Sequence, residues 1–187
     1  MKLRIVSGSL GGRYITLGKK TPQDFRPTQE RVRQAVAETI KNRIPEAVVL
    51  DLCAGSGAFG FEMASRGAKE VHFIDSDSER CRSITHHASL FGIEDTCTVI
   101  RTDARKFVSS CSRAYDIVFY DPPYEDAMLA QLAGKLPALL SECGILIYER
   151  DVSEVPPSGV FPPDEVGRET REYGDTAVEF ITRKPRK

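Results

Sequence analysis

The sequence predicts an α/β fold with a doubly wound, mostly parallel β-sheet. After Pro45, short β-branched or aromatic runs alternate with segments of helical periodicity, and the runs are apolar on both faces, as buried parallel strands are. Strands that alternate with helices predict right-handed crossovers, with ligands bound at the carboxyl ends of the strands. The predicted strands contain residues 48–50, 71–74, 98–100, 117–120 and 145–148.

Helices are predicted between these strands. The clearest covers residues 77–91, where Asp77 can cap the amino end, apolar side chains recur at helical spacing, and Gly92 ends the pattern. A second helix should follow Gly57. The segment 128–140 contains a glycine and a proline, which predict a kinked or broken helix.

The two ends of the chain depart from this alternation. Residues 168–173 and 176–182 flank a Gly-Asp turn, so we expect the sheet to end in an antiparallel hairpin strand. Residues 1–44 predict a small β-hairpin followed by a helix that Thr28 can cap. We therefore divide the chain into a basic amino-terminal extension, 1–44, and a sheet domain, 45–187.

The net charge of −1 conceals the basic character of the extension, which carries ten Lys and Arg but only three Asp and Glu. Contact with nucleic-acid phosphates requires such a surface, and solubilising charge explains it equally well. The candidate RNA contacts are Arg4, Arg13, Arg26, Arg31 and Arg33.

Composition narrows the class of protein further. No apolar run approaches the roughly 18–20 residues of a membrane span, and the first residues lack the apolar core of a signal peptide, so we expect a cytoplasmic protein. Five cysteines without a C-x-x-C pair argue against a disulfide framework and a zinc site, and the three histidines have no metal-ligand spacing. We predict no metal and a monomer.

Residues 48–60 contain two overlapping cofactor patterns. Residues 55–60 read G-x-G-x-x-G, the dinucleotide fingerprint, whereas Asp51 with Gly55 and Gly57 gives D-x-x-x-G-x-G, a pattern of S-adenosylmethionine (SAM) sites. A dinucleotide places a pyrophosphate at the helix N-terminus, while SAM brings an ammonium and a sulfonium and no phosphate. Asp51 would repel the former and attract the latter, which favours SAM.

Two further aspartates support this choice. Asp75 ends the second strand of the sheet domain and can accept hydrogen bonds from ribose hydroxyls, and Asp103 follows the third and could accept from an adenine amine. A merely structural turn would not need three successive strands to end in aspartate. The cofactor-binding prediction also includes the neighbouring residues Cys53, Ala54, Ser56, Ser76, Ala104 and Thr28.

The fourth strand leads directly into Asp121-Pro122-Pro123-Tyr124. The exocyclic amine of a base is a poor nucleophile, because its lone pair is delocalised into the ring. The Asp121 carboxylate and the Pro122 carbonyl could accept its two N–H hydrogens, and Tyr124 offers a ring for stacking of a flipped base. Two prolines stiffen the turn. A rigid strand-ending turn is the alternative, and the location at the ligand-binding edge favours catalysis.

These motifs resemble the bacterial 16S ribosomal RNA (guanine-N2)-methyltransferases, a family with the class I SAM-dependent (Rossmann-like) methyltransferase fold. The resemblance covers essentially the whole chain. It implies N2-methylation of one guanine in 16S rRNA within an assembling small ribosomal subunit, and it implies that residues 26–28 lie over the pocket. The matching residues include Arg4-Ile5, Gly8, Gly12-Arg13, Arg26-Pro27-Thr28, Arg31-Val32-Arg33, the stretch 51–57, Asp103-Ala104 and Asp121-Pro122-Pro123-Tyr124.

Two residues differ from the family pattern, and other functions stay open. Cys53 stands where Phe is usual, and Asp75 stands where Glu is common, which shortens the ribose-binding carboxylate. Methylation of DNA adenine or of protein glutamine is one alternative, although that motif more often begins with Asn than with an aspartate such as Asp121. A non-catalytic RNA-binding assembly factor is another. A dinucleotide-dependent oxidoreductase is the least favoured.

Overall fold

The computed structural model describes residues 2–16, 28–122, 131–154 and 160–184, with side chains in the first helix described from Glu30 onward. The strands are β1 Lys2–Arg4, β2 Tyr14–Thr16, β3 Val48–Leu52, β4 Glu70–Asp75, β5 Cys97–Arg101, β6 Tyr115–Tyr120, β7 Leu140–Asp151, β8 Val166–Tyr173 and β9 Thr176–Arg183. The α-helices are α1 Thr28–Thr39, α2 Ala58–Ser65, α3 Ser78–Phe91 and α4 Ala104–Ser110. Short 3-10 helices cover Lys41–Arg43, Glu94–Thr96 and Ala133–Leu139.

The main sheet has seven strands in the order β5-β4-β3-β6-β7-β9-β8. The first five strands run parallel to one another, while β9 runs antiparallel to both β7 and β8. The predicted mostly parallel sheet with an antiparallel carboxyl-terminal hairpin is therefore confirmed. The strand order reverses between β3 and β6, and this switch point is where open α/β sheets bind ligands.

Local sequence signals account for the helix ends. The Asp77 carboxylate accepts from the N–H groups of the second and third residues of α3, and Gly92 follows the helix in the left-handed conformation, both as predicted. The segment around Pro137 forms a 3-10 helix in place of a regular α-helix. Helix α4 was not predicted, although Ala104, Phe107 and Val108 fall at helical spacing and pack against the core.

The β1–β2 hairpin packs on the far ends of α2 and α3. Ser65, the last residue of α2, accepts three hydrogen bonds from the hairpin turn. The N–H and the hydroxyl of Ser9 donate to its carbonyl at 2.8 and 3.3 Å, and the N–H of Leu10 donates to its hydroxyl at 2.9 Å. On α3, His87 Nε2 accepts from the N–H of Thr16 at 2.9 Å. The hairpin of the amino-terminal extension therefore packs into the same core as the main sheet. The boundary between an extension, 1–44, and a sheet domain, 45–187, stays a prediction.

A buried ion cluster joins the carboxyl-terminal hairpin to β7. The Glu179 carboxylate is fully buried and accepts from the guanidinium groups of Arg150 and Arg168 at 2.7–3.0 Å, and from the Thr170 hydroxyl at 2.7 Å. Hydrogen bonds to a buried carboxylate hold three strands in register. Within the described part of the chain, no helix is long and apolar enough to cross a membrane.

Candidate active site

The turn after β3 opens the site. Its backbone is left-handed at Cys53, Gly55 and Gly57, with φ of 66°, 57° and 73°. The Ala54 N–H donates to the carbonyl of Ile74 at 2.9 Å, which ties the turn to the end of β4. Among the described atoms, a Cβ on Gly55 would meet only the Cys53 carbonyl oxygen, at 3.8 Å, so a ligand can approach this backbone closely.

The next two glycines allow helix α2 to pack on the sheet. A Cβ on Gly60 would lie 2.2 Å from Cε1 of Phe73, and a Cβ on Gly57 would lie 3.0 Å from Cγ1 of Ile84. The Ser56 hydroxyl accepts from the N–H of the first α2 residue at 3.3 Å. The last glycine of the G-x-G-x-x-G pattern is therefore explained by packing, without a pyrophosphate.

Asp51 lies in β3 one residue before its end and is buried. Its Oδ2 accepts from the N–H of Gly60, in the first turn of α2, at 3.0 Å. Burial is the main cause that raises the pKa of Asp51 to about 8; the charges of Asp121 and Asp75 act in the same direction, and the hydrogen bond from Gly60 opposes them. A cation beside this carboxylate would relieve both effects, as the sequence predicts for an ammonium group.

Asp75 ends β4 and holds the turn after β3 in place. Its Oδ2 accepts from the N–H of Gly55 at 2.8 Å, and its Oδ1 accepts from the N–H of Asp77 at 2.9 Å. The Arg80 guanidinium lies 3.7 Å away. Asp75 thus fixes the glycine turn directly, a role that the sequence analysis did not assign to it.

Asp103 caps helix α4, whose first residue, Ala104, is buried. The Asp103 carboxylate pairs with the Arg105 guanidinium at 2.8 Å and accepts from the N–H groups of Arg105 and Lys106. These hydrogen bonds, led by the Arg105 side chain, lower the pKa of Asp103 to about 2. Ser76 is exposed just after β4, on the same edge of the sheet.

Asp121 and Pro122 follow β6 at the switch point. Leu52 pairs with Tyr120 in register, so Asp121 lies beside the turn after β3. The Asp121 side chain is half-buried and Pro122 is buried, and burial raises the pKa of Asp121 to about 7. Pro123 and Tyr124 lie outside the described residues.

Glu149, a buried acidic residue in β7, was not among the site residues predicted from the sequence. Burial raises its pKa well above the ordinary value, the Asp121 charge adds to this, and the Arg33 charge opposes it. The signal was present in the sequence, because Glu149 directly follows the apolar run 145–148, as Asp121 follows 117–120. The rule that identified the aspartates would have found it.

The candidate RNA-contacting arginines that the structure describes differ in exposure and in position. Arg4, Arg13 and Arg31 are exposed, but Arg13 packs over the ring of Phe91, the last residue of α3, and therefore lies at the edge remote from the site. Arg33 is buried instead of exposed, and its Nη2 donates to the Arg4 carbonyl at 2.8 Å. Arg26 and the Thr28 side chain lie outside the described residues.

The strand order and the acidic switch-point site define the class I SAM-dependent methyltransferase fold. A solved Escherichia coli structure, "Putative methyltransferase yhhF", superposes with a TM-score of 0.84, covers 100% of both chains and is 24% identical. The predicted fold class is confirmed.

The chain belongs to the family described as Conserved hypothetical protein 95, whose model matches residues 3–182. It is 28% identical over 181 residues to a Bacillus subtilis protein named "Putative rRNA methyltransferase YlbH", covering 94% of this chain and 96% of that one. It is also 28% identical over 130 residues to "Ribosomal RNA small subunit methyltransferase D" of Escherichia coli, covering 70% of this chain and 64% of that one. The family resemblance inferred from the sequence is thereby confirmed.

Proposed function

We propose that the protein is a SAM-dependent methyltransferase that modifies the exocyclic N2 amine of one guanine in 16S rRNA, within an assembling small ribosomal subunit. The observation that carries the proposal is Asp121 at the switch point, beside the turn after β3 and the buried Asp51. The names of the relatives favour ribosomal RNA over DNA adenine, protein glutamine or a non-catalytic role.

The acidic groups of the site match the positive charge of SAM, and the open backbone leaves room for it. Asp51 and Asp121 are acidic groups whose burial disfavours their charged forms, so a bound cation stabilises them. The open backbone at Gly55 allows close approach, and no side chain of the described residues fills that position. When bound, SAM supplies a methyl group activated by its sulfonium.

The protein's part in the reaction is to orient the amine and to accept hydrogen bonds from it. The Asp121 carboxylate and the Pro122 carbonyl accept the two N–H hydrogens of guanine N2, which turns the nitrogen lone pair toward the methyl group. Proximity and alignment supply most of the rate, and the amine proton leaves after the new N–C bond has formed. The elevated pKa of Asp121, about 7, suits it to receive that proton.

The test compares Asp121→Asn and Asp121→Ala with a control at an exposed aspartate remote from the site, Asp95→Asn. Labelled SAM is incubated with naked 16S RNA and with partly assembled small subunits, and the methylated nucleotide is mapped. Both Asp121 variants should bind SAM by calorimetry but lose about 100-fold or more in turnover, whereas the control should match the wild type.

Two results would overturn the proposal. Wild-type protein that leaves guanine N2 unlabelled in both substrates would exclude the reaction. Wild-type activity in the Asp121→Ala variant would exclude Asp121 as the amine acceptor. Absence of SAM binding would favour a non-catalytic assembly factor.

A further inference from the structure

Three acidic residues share one face of the sheet at the carboxyl ends of adjacent strands. Asp51 is in register with Phe119, which is in register with Ile147, and all three face the core that α1 and α2 cover. Side chains alternate along a strand, so residues two positions further on return to that face. These residues are Asp121 and Glu149.

Within the described ranges, one cation acts on Glu149. Arg33, on α1, is buried on this face, and the two side chains influence each other's pKa. Arg150 follows Glu149 in β7 but points to the opposite face, where it binds Glu179. On the next strand, β9, the residue in register with Glu149 is Val178, which is apolar.

Both side chains carry an unused polar atom. Among the described residues, Arg33 Nε and Glu149 Oε1 are the buried side-chain atoms without a hydrogen-bond partner. Native proteins rarely leave buried polar atoms unpaired, because each costs free energy, so such atoms call for an explanation. Glu149 lies in β7, which pairs with β6, the strand that leads into Asp121.

We propose that Glu149 is a positioning residue: in its protonated form it donates a hydrogen bond to the Asp121 carboxylate, and Arg33 balances the single negative charge of the pair. Two neighbouring carboxyl groups at a buried site cannot both ionise easily, so one proton stays between them. The inference rests on the proposed function only in that Asp121 orients the substrate amine.

The arrangement joins the amino-terminal extension to the catalytic turn. Arg33 lies on α1, and its Nη2 is held by the Arg4 carbonyl of β1. The charges that face Arg33 are Glu149 from β7, Glu62 from α2 and Glu30 from α1 itself. Those that act on Asp51 are Asp121 and Asp75. A cation held by the extension therefore acts on the pair of carboxyl groups through Glu149.

Four variants of the full-length chain test this proposal. Glu149→Gln keeps a donor that cannot ionise, and Glu149→Leu removes the donor. Arg33→Met removes the cation, and Arg33→Lys keeps it. The carboxyl titration of Asp121 is followed by NMR of protein labelled with ¹³C at aspartate carboxyl carbons, the signal being assigned by its loss in Asp121→Asn. The pH profile of turnover is measured in parallel.

Glu149→Leu and Arg33→Met should each raise the titration midpoint of Asp121 by about one pH unit, because each removes a group that favours the ionised form. Glu149→Leu should also lower kcat about tenfold, with KM for SAM and for RNA unchanged within twofold. Glu149→Gln and Arg33→Lys should restore most of the midpoint and, for the former, most of kcat.

An Asp121 midpoint that is the same in all four variants would overturn the proposal, as would equal kcat values for the Gln and Leu variants. Should Glu149→Leu fail to fold, the midpoints in Glu149→Gln and Arg33→Met decide alone. The titration needs no RNA, so shifted midpoints in a protein that leaves 16S RNA unmethylated would support the positioning role and reject the substrate.

Discussion

Gly8 should be far less tolerant of substitution than Gly12, although both lie in the β1–β2 turn with positive φ, at 81° and 89°. A Cβ on Gly8 would stand 1.9 Å from the carbonyl oxygen of Ser65, a backbone atom that cannot move without distorting the end of α2. A Cβ on Gly12 would meet nothing within 4 Å. The Gly8→Ala and Gly12→Ala pair therefore separates steric contact from backbone strain.

The expected losses of unfolding free energy follow from the backbone strain and the steric contact. Both variants incur the left-handed backbone cost of about 1–2 kcal/mol. Gly8→Ala adds an overpacking cost of about 1–3 kcal/mol and weakens the bonds that Ser9 and Leu10 make to Ser65. A difference of about 2 kcal/mol corresponds to a Tm gap of roughly 4–8 °C in a chain of this size.

Thermal unfolding followed by circular dichroism, with urea unfolding for the free energy, measures the gap directly. Gly8→Ala should have the lower Tm of the two. Equal Tm values for the two variants would refute the reasoning, because they would mean that the turn does not press against the end of α2.

Three further predictions concern charge. Burial raises the pKa of Asp51 to about 8. Between about pH 4 and pH 8 the native state therefore holds a proton that the unfolded state has lost, so the Tm of the wild type should fall as the pH rises through this range. Asp51→Asn should flatten that fall. Glu179→Gln leaves the buried guanidinium of Arg150 and the partly exposed guanidinium of Arg168 poorly compensated, and it should cost about 3–5 kcal/mol in urea unfolding. Asp77→Ala removes the cap of α3 and should cost about 1 kcal/mol, whereas Asp77→Asn should cost much less.

Much of the fold could be predicted because its signals are local. Apolar runs, the Asp77 cap and the turn before Thr176 each specify structure within a few residues, and each prediction is confirmed. Helix α4 was not predicted because it has only seven residues and because its amino-terminal signal, Asp103, had been assigned to cofactor binding. One residue can serve both as a cap and as a ligand-binding group, and sequence alone does not separate these roles.

Site residues whose positions follow from the strand topology could be predicted. A residue whose role depends on its burial could not. Parallel strands bring their carboxyl ends together, so Asp51, Asp75 and Asp121 could be placed on one edge from the strand pattern alone. Arg33 looked like a surface charge within a basic segment, yet it is buried. Its orientation depends on how α1 packs against the sheet, which no local pattern encodes.

The strand order β7-β9-β8 also governs when the molecule can become complete during synthesis. β8 leaves the ribosome first, but its place in the sheet exists only after β9 has paired with β7. A nascent chain that ends at Tyr173 therefore exposes β7 as an unprotected edge along the strand that carries Glu149. Such an intermediate is a target for chaperones or for aggregation until Thr176–Arg183 is inserted.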